Sequence, residues 1–358
     1  MRAPAKGAPA KFLWWIMVFI MVLSGVSGCA RVEPLLPKVL RRTTVTPSPT
    51  QTVTATTTAT PSATPTATAT PPPTATSSPT ATPLPTATAT PVRLQIRWLP
   101  APVQQGNTLL LQAQAPAGSR LGGNFDGQEI HFVESAGTTW ALIGVPPWSA
   151  VGPRPLTVQA SGPDGSWQEA AAAIPVTAAD FPTQEVTLSP SRSQLLAPAI
   201  VQAEVARLQP VWQEVTPRLL WQGPFILPAT GRYTAMYGTH RSYNGAPPAG
   251  YHGGVDIAAG EGTPVIAAAA AVVALAEPLQ VRGNAVILDH GAGVHSAYYH
   301  LSRIDVAVGE PVRQGQQIGL VGATGLSTGA HLHWEVRVGE IFVNPLEWTE
   351  RAMGLGRE

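Results

Sequence analysis

Four histidines and one aspartate fall in three short islands between Tyr251 and Trp334. These are His252-Gly253-Gly254-Val255-Asp256, Tyr298-Tyr299-His300-Leu301 and His331-Leu332-His333. Imidazole nitrogen with carboxylate oxygen is a donor set that suits zinc. Three protein ligands, with a fourth position left to water, is the pattern of a catalytic zinc site. Residues i and i+2 of a strand share a face. His331 and His333 therefore lie together if this segment is a strand, and Trp334, Val336 and Val338 continue its strand-like composition. His252 and Asp256 are spaced for one face of a helix or of a strand. Gly253 and Gly254 argue against a helix, so a loop running into a strand over 255–258 is predicted. Glu335 shares the face of His333 by alternation and could orient a ligand, although a surface role is expected for it. The glutamate of a His-Glu-x-x-His zinc signature is absent.

The islands need elements to bring them together. Short strands are predicted over 264–268, 271–276, 284–289, 294–299, 315–321 and 331–338, with glycines between or at the ends of them. The pattern reads as an antiparallel β-sandwich or folded barrel with tight turns and little helix, over 218–350. His290 is read as a turn residue. His295 precedes His300 by five, so strict alternation puts it on the opposite face, in a structural role. His240 and the polar loop Arg241-Ser242-Tyr243-Asn244 lie just ahead of the first island and are weak candidates for lining the groove.

The three islands resemble the lysostaphin-type (LytM-like) zinc metallopeptidases of bacterial cell walls. The resemblance runs over roughly 218–350. It includes Gly262-Thr263-Pro264-Val265, Gly283-Asn284, Asp289-His290-Gly291, Val308-Gly309, Gly315-Gln316, Gly322-Ala323-Thr324-Gly325, Ser327-Thr328-Gly329 and Asn344-Pro345, in the family's order. It implies a compact β fold, Zn2+ as cofactor and peptidoglycan as partner. It also implies His252, Asp256 and His333 as metal ligands, with His300 and His331 assisting catalysis. His331 is suggested as general base, and His300 as stabilising the oxyanion or donating a proton. All five positions are intact. The implied activity is that of a zinc metalloendopeptidase cutting peptide cross-links or stem peptides. The alternative is a catalytically silent wall-binding or hydrolase-activating module of the same fold. A zinc amidase cutting between sugar and peptide is a further rival. Val308-Gly309-Glu310-Pro311-Val312 is reminiscent of a biotinyl or lipoyl hairpin. The last lysine of the chain is Lys38, so no lysine there bears such a cofactor.

The rest of the chain reads as export, reach and spacing. Residues 1–29 resemble a lipoprotein signal peptide. Arg2, Lys6 and Lys11 precede an apolar run over 12–23, too short to span a membrane, and Val26-Ser27-Gly28-Cys29 resembles a lipobox. Cys29 is the only cysteine, so no disulfide within the chain is available. As the first mature residue it would carry acyl chains and anchor the protein on the outer face of the cytoplasmic membrane, in the cell envelope. The sequence holds 37 prolines and 34 glycines, more than one compact domain carries, and the excess is local. Residues 30–92 are a Thr/Pro/Ala-rich linker, uncharged from Thr43 to Val92 and expected to be disordered. At about 3.1 Å per residue a stretch of about fifty residues could reach roughly 150 Å.

Residues 93–178 are predicted to form an immunoglobulin-like β-sandwich of about seven short strands with turn signals between them. His131 is placed in one of these strands as a structural or surface residue. Residues 179–217 are read as a helical bridge, the helix proper starting near Pro198 and limited by Pro210 and Pro217. Residues 351–358 are a tail. The formal net charge of +1 gives no reason to expect a nucleic-acid partner. The fold class expected is thus mainly β, with one bridging helix.

Overall fold

The computed structural model describes residues 93–353, apart from Ala136. The signal peptide with Cys29, the linker and the last residues of the tail lie outside the described residues. No helix among the described residues is long and apolar enough to cross a membrane.

Nine strands come first: β1 (Gln95–Leu99), β2 (Val103–Gln104), β3 (Thr108–Gln114), β4 (Arg120–Phe125), β5 (Gln128–Glu129), β6 (Val133–Ser135), β7 (Thr138–Gly144), β8 (Gly152–Ser161) and β9 (Trp167–Thr177). They form two sheets, ordered β1-β3-β7-β6 and β2-β9-β8-β4-β5. Alternate residues such as Leu109, Leu111, Phe125, Leu156, Val158 and Ile174 fill the layer between them, as period-2 patterning requires. His131 falls between β5 and β6 rather than in a strand, and it is exposed.

The remaining strands are β10 (Thr183–Val186), β11 (Arg232–Ala235), β12 (His240–Tyr243), β13 (Gly254–Ala258), β14 (Pro264–Ile266), β15 (Ala271–Leu279), β16 (Gly283–Gly291), β17 (Val294–Leu301), β18 (Arg303–Ile304), β19 (Pro311–Val312), β20 (Gln317–Leu320), β21 (His331–Val338) and β22 (Ile341–Val343). The main sheet runs β11-β13-β21-β17-β16-β15-β19, with β22 paired to β21. A smaller sheet, β14-β20-β18, accompanies it. β10 falls in the stretch read as purely helical bridge. It pairs in parallel with β12, a partner more than fifty residues away that local sequence does not reveal.

The two faces of the main sheet have different work. One face sends Val255, Ile257, Leu332, Trp334, Val336, Val286, Leu288 and Tyr298 into the principal core. The other face carries Ala285, Ile287, Ala297 and Tyr299, and over these lies the bridging helix Pro198–Gln213 through Leu208, Val211 and Trp212. Each such side chain taken from water contributes about 1.5–3 kcal/mol. Pro198 opens this helix at its first turn, where its missing N–H costs nothing. Pro210 does not end the helix as expected but sits inside it, because burial of Val211 and Trp212 holds the last turn.

The sandwich packs directly on the C-terminal sheet. Val133 and Leu142 belong to the principal core. A buried network centres on Thr108. Its N–H donates to Glu347 Oε2 at 2.8 Å, its hydroxyl accepts from Trp348 Nε1 at 3.2 Å, and its carbonyl accepts from Arg351 Nη2 at 2.9 Å. Arg351 and Met353, read as the start of a tail, are thereby part of the packed body, Met353 being 2% exposed.

Candidate metal centre and active site

β13 and β21 run antiparallel with Asp256 directly opposite His333. Residues directly opposite in a ladder have Cβ atoms about 4.5–5.5 Å apart, close enough to share one ion. Gly254 makes this approach possible. A Cβ there would stand 2.2 Å from the Trp334 carbonyl oxygen and 2.9 Å from His333 Nε2. His252 precedes β13, and its backbone is pinned to the 236–239 turn. Its N–H donates to the Thr239 carbonyl at 2.9 Å, and its own carbonyl accepts from Gly238 N at 2.8 Å.

Three donor atoms then converge. His252 Nε2 lies 3.0 Å from Asp256 Oδ1 and 3.0 Å from His333 Nδ1, and His333 Nδ1 lies 2.9 Å from Asp256 Oδ1. A tetrahedral zinc with bonds of about 2.0–2.2 Å sets its ligands about 3.3–3.6 Å apart, so a small opening of the triangle admits the ion. The other atom of each ligand is fixed. His252 Nδ1 donates to the Met236 carbonyl at 2.9 Å, which leaves Nε2 as a bare lone pair. His333 Nε2 faces Glu335 Oε2 at 3.5 Å, which places its proton there and its lone pair on Nδ1. Asp256 Oδ2 pairs with Arg241, leaving Oδ1 to the centre. Three lone pairs aimed at one another repel unless a cation lies among them, so the residues present fit zinc.

The charges agree. Burial pushes the Asp256 carboxyl upward, but His252 and His333 outweigh it and hold the group well below the usual carboxylate range. Burial lowers His252. It acts on His333 in the same direction, but Asp256 and Glu335 overcome it and raise that imidazole. The centre thus favours a positive charge between its carboxylates.

The two remaining histidines stand at its edge. His331 Nε2 is 3.7 Å from Asp256 Oδ1. Its Nδ1 donates to the Gly329 carbonyl at 2.9 Å and lies 3.1 Å from Ser327 Oγ. The His300 ring centroid lies 4.8 Å from that of His331 and 6.2 Å from that of His333, and its Nδ1 donates to the Thr324 carbonyl at 2.8 Å. Each ring therefore presents an unprotonated Nε2. Burial pushes the His300 imidazole down to about 3, with His331 and His333 adding to the shift, and burial also lowers His331. Both are neutral acceptors at neutral pH.

His300 reaches this place through a bulge. Strict alternation puts Tyr299 on the face of the site and His300 in the core. The pairing of β16 with β17 shifts register between Asn284 and Val286, so Tyr299 and His300 together oppose Ala285. His300 has φ 63°, in the left-handed region uncommon for residues other than glycine. The bulge turns its ring back to the side of His331. It also defeats the parity expectation for His295. That ring lies under the bridging helix, edge-on to Trp212 at 5.6 Å, on the same sheet face as the site.

Other expectations need correction. Glu335 is not at the surface. It is 3% exposed, and Arg337, His333 and Arg282 overcome its burial to hold its carboxyl down to about 2. It orients His333. Such outer partners typically carry 10–100-fold in metal affinity, so Glu335→Gln is expected to weaken zinc binding by about that factor in a chelator competition titration, with the fold intact. Arg241 supports Asp256, and Asn244 Oδ1 accepts from Leu188 N at 2.7 Å. His290 is a fully buried strand residue bonded to the Ala270 carbonyl and Ser296 Oγ. His240, half-buried, packs at a tilt against Tyr251 with centroids 4.3 Å apart.

A β-sheet peptidase fold with a His-Asp-His centre defines the class, and sequence comparison agrees with it. Residues 250–345 match the family model described as peptidase family M23, so this part of the chain is a peptidase M23 domain. The DD-carboxypeptidase/endopeptidase Mpg of Neisseria meningitidis is 47% identical over 95 residues, 26% of this chain and 22% of that protein. Peptidoglycan DD-endopeptidase ShyC of Vibrio cholerae is 45% identical over 94 residues, 26% of this chain and 22% of its own length. The chain therefore spans about a fifth of these curated relatives. A structural-genomics crystal structure from Pseudomonas aeruginosa, assigned to peptidase M23, superposes with a TM-score of 0.52 at 25% identity. It covers 69% of this chain and 94% of its own.

Proposed function

We propose that the protein is a zinc-dependent endopeptidase that hydrolyses peptide cross-links or stem peptides of bacterial peptidoglycan. The observation that carries this reading is the triangle of bare donor atoms at 2.9–3.0 Å, overlooked by two neutral imidazoles. Zinc, when bound there, supplies a Lewis acid that polarises the scissile carbonyl and acidifies water.

The chain's own residues do the rest. His331 Nε2 accepts a proton from the attacking water, while Gly329 and Ser327 hold the ring through Nδ1. His300 Nε2 is likewise an acceptor at rest. It becomes a donor to the oxyanion or the leaving nitrogen only after taking up a proton. Arg241 keeps the Asp256 carboxylate in place and ionised, and Glu335 keeps the neutral His333 ring turned with its Nδ1 lone pair toward the centre. All five site residues being intact opposes the reading as a silent module. The relatives named for DD-endopeptidase activity on peptidoglycan support a wall peptide as substrate. In the same reading, acyl chains on Cys29 hold the enzyme on the outer face of the cytoplasmic membrane.

Digestion of purified peptidoglycan by the zinc-loaded protein, followed by mass spectrometry, tests the reading. The expected products carry a new amine end at a peptide bond. Cleavage only between sugar and peptide, or no release at all, would overturn it.

A further inference from the structure

The bulge that aims His300 is held from outside the family-matched segment. Glu204, on the bridging helix, is 5% exposed. Its carboxylate accepts from Val281 N at 2.7 Å, from Arg282 N at 3.2 Å and from Arg282 Nη1 at 2.8 Å. One side chain thus fixes the turn between β15 and β16, and that turn does three things for the site. The Arg282 carbonyl accepts the N–H of His300 at 2.9 Å, and the Val281 carbonyl accepts Leu326 N at 2.7 Å. Gly283, at φ 65°, lets the turn close on Thr324, where a Cβ would stand 2.3 Å from Thr324 Oγ1. Thr324 in turn supplies the carbonyl that holds His300 Nδ1. Both the backbone and the ring of His300 therefore depend on a turn tied to one buried carboxylate.

We propose that Glu204 is a positioning residue for His300, so that the bridging helix is part of the catalytic apparatus and not a spacer. The proposal rests on the reading of His300 as a catalytic residue. A carboxylate with two acceptor oxygens suits three convergent donors. Glutamine turns one of these oxygens into a donor facing an N–H, so Glu204→Gln breaks the hold without changing volume. The metal ligands stand on or just before β13 and on β21; Arg282 reaches their side through Glu335 and the Tyr299 ring, whereas it holds the His300 N–H directly through its carbonyl.

The test compares wild type, Glu204→Gln and Glu204→Ala, each with and without His300→Ala, using a soluble peptide of the cross-link. Misplacement of a catalytic group by about 1 Å can cost about 100-fold. The expected result is a fall in kcat of about 10–100-fold, with KM and zinc content unchanged. In the His300→Ala background the Glu204 changes are expected to cost nothing more, because both act on one ring. Amide exchange at His300 is expected to quicken in the Glu204 variants, while that of Ala297 in the same strand stays slow. An unchanged kcat, an equal loss in both backgrounds, or an unaltered His300 amide would overturn the proposal. If wild type itself cuts no wall peptide, the functional reading fails, and the amide exchange still decides whether Glu204 holds the bulge.

Discussion

His331→Ala is expected to keep one zinc per chain and to lose about 100- to 10,000-fold in kcat, the range a positioned general base supplies. The ring lies 3.7 Å from Asp256 Oδ1 without belonging to the ligand triangle, so removing it leaves the three donors intact. His331→Gln is expected to be nearly as slow, since an amide does not take a proton at neutral pH. The measurement is single-turnover hydrolysis beside metal analysis of the same sample. Loss of zinc along with activity would make His331 a ligand and break the division of roles drawn here.

His333→Ala is expected to act differently and more severely. It removes one corner of the triangle and leaves Asp256 Oδ1 and His252 Nε2 facing each other with two ligands for an ion that needs three from the protein. Activity is expected to fall to background, with zinc content far below one per chain, and added zinc is not expected to restore the rate. The residue also fills space. Tyr299 stacks on its ring at 5.5 Å, and Glu335 is left ionised and buried without its imidazole partner. A fall in thermal stability is therefore expected as well, and His333→Gln keeps more of the packing while still losing the metal. Retained zinc and retained hydrolysis in His333→Ala would place the ion elsewhere.

The legible part of the site was the part encoded by short spacing. His331 and His333 share a face because a strand alternates. The glycines before Asp256 ruled out a helix, and the family motifs supplied the pairing of islands that spacing could not. The illegible part was tertiary. Glu335 has the parity of a ligand's neighbour, yet only the cover of Arg337 and its own burial make it an orienting group. His290 sits in a motif full of turn residues, but β16 is sandwiched between the core and the bridging helix, so both its faces are buried. His295 and His300 were separated by parity, and a single bulge cancels that rule. Glu204 gave no local signal because the turn it holds is 77 residues away. The link from Thr108 to Glu347 spans 239 residues, so no window along the chain could join the sandwich to the peptidase sheet.

The two faces of the main sheet explain why these distant pieces matter to the chemistry. The core face is closed by apolar packing. On the other face Leu208, Val211 and Trp212 of the bridging helix cover one part, while the His-Asp-His end lies outside that cover, with Arg241 against Asp256. The site thus sits beside the helix-covered part of the sheet, and its rigidity comes from strands buried on both sides.

Zinc-edge X-ray absorption and anomalous scattering on the metal-loaded protein test the central claim most directly. The account predicts one zinc per chain, held by His252 Nε2 and His333 Nδ1 at about 2.0–2.1 Å and by Asp256 Oδ1 at about 2.0–2.2 Å, with His300 and His331 outside bonding distance. A zinc bound through other atoms, or a folded protein that takes up none, would contradict it.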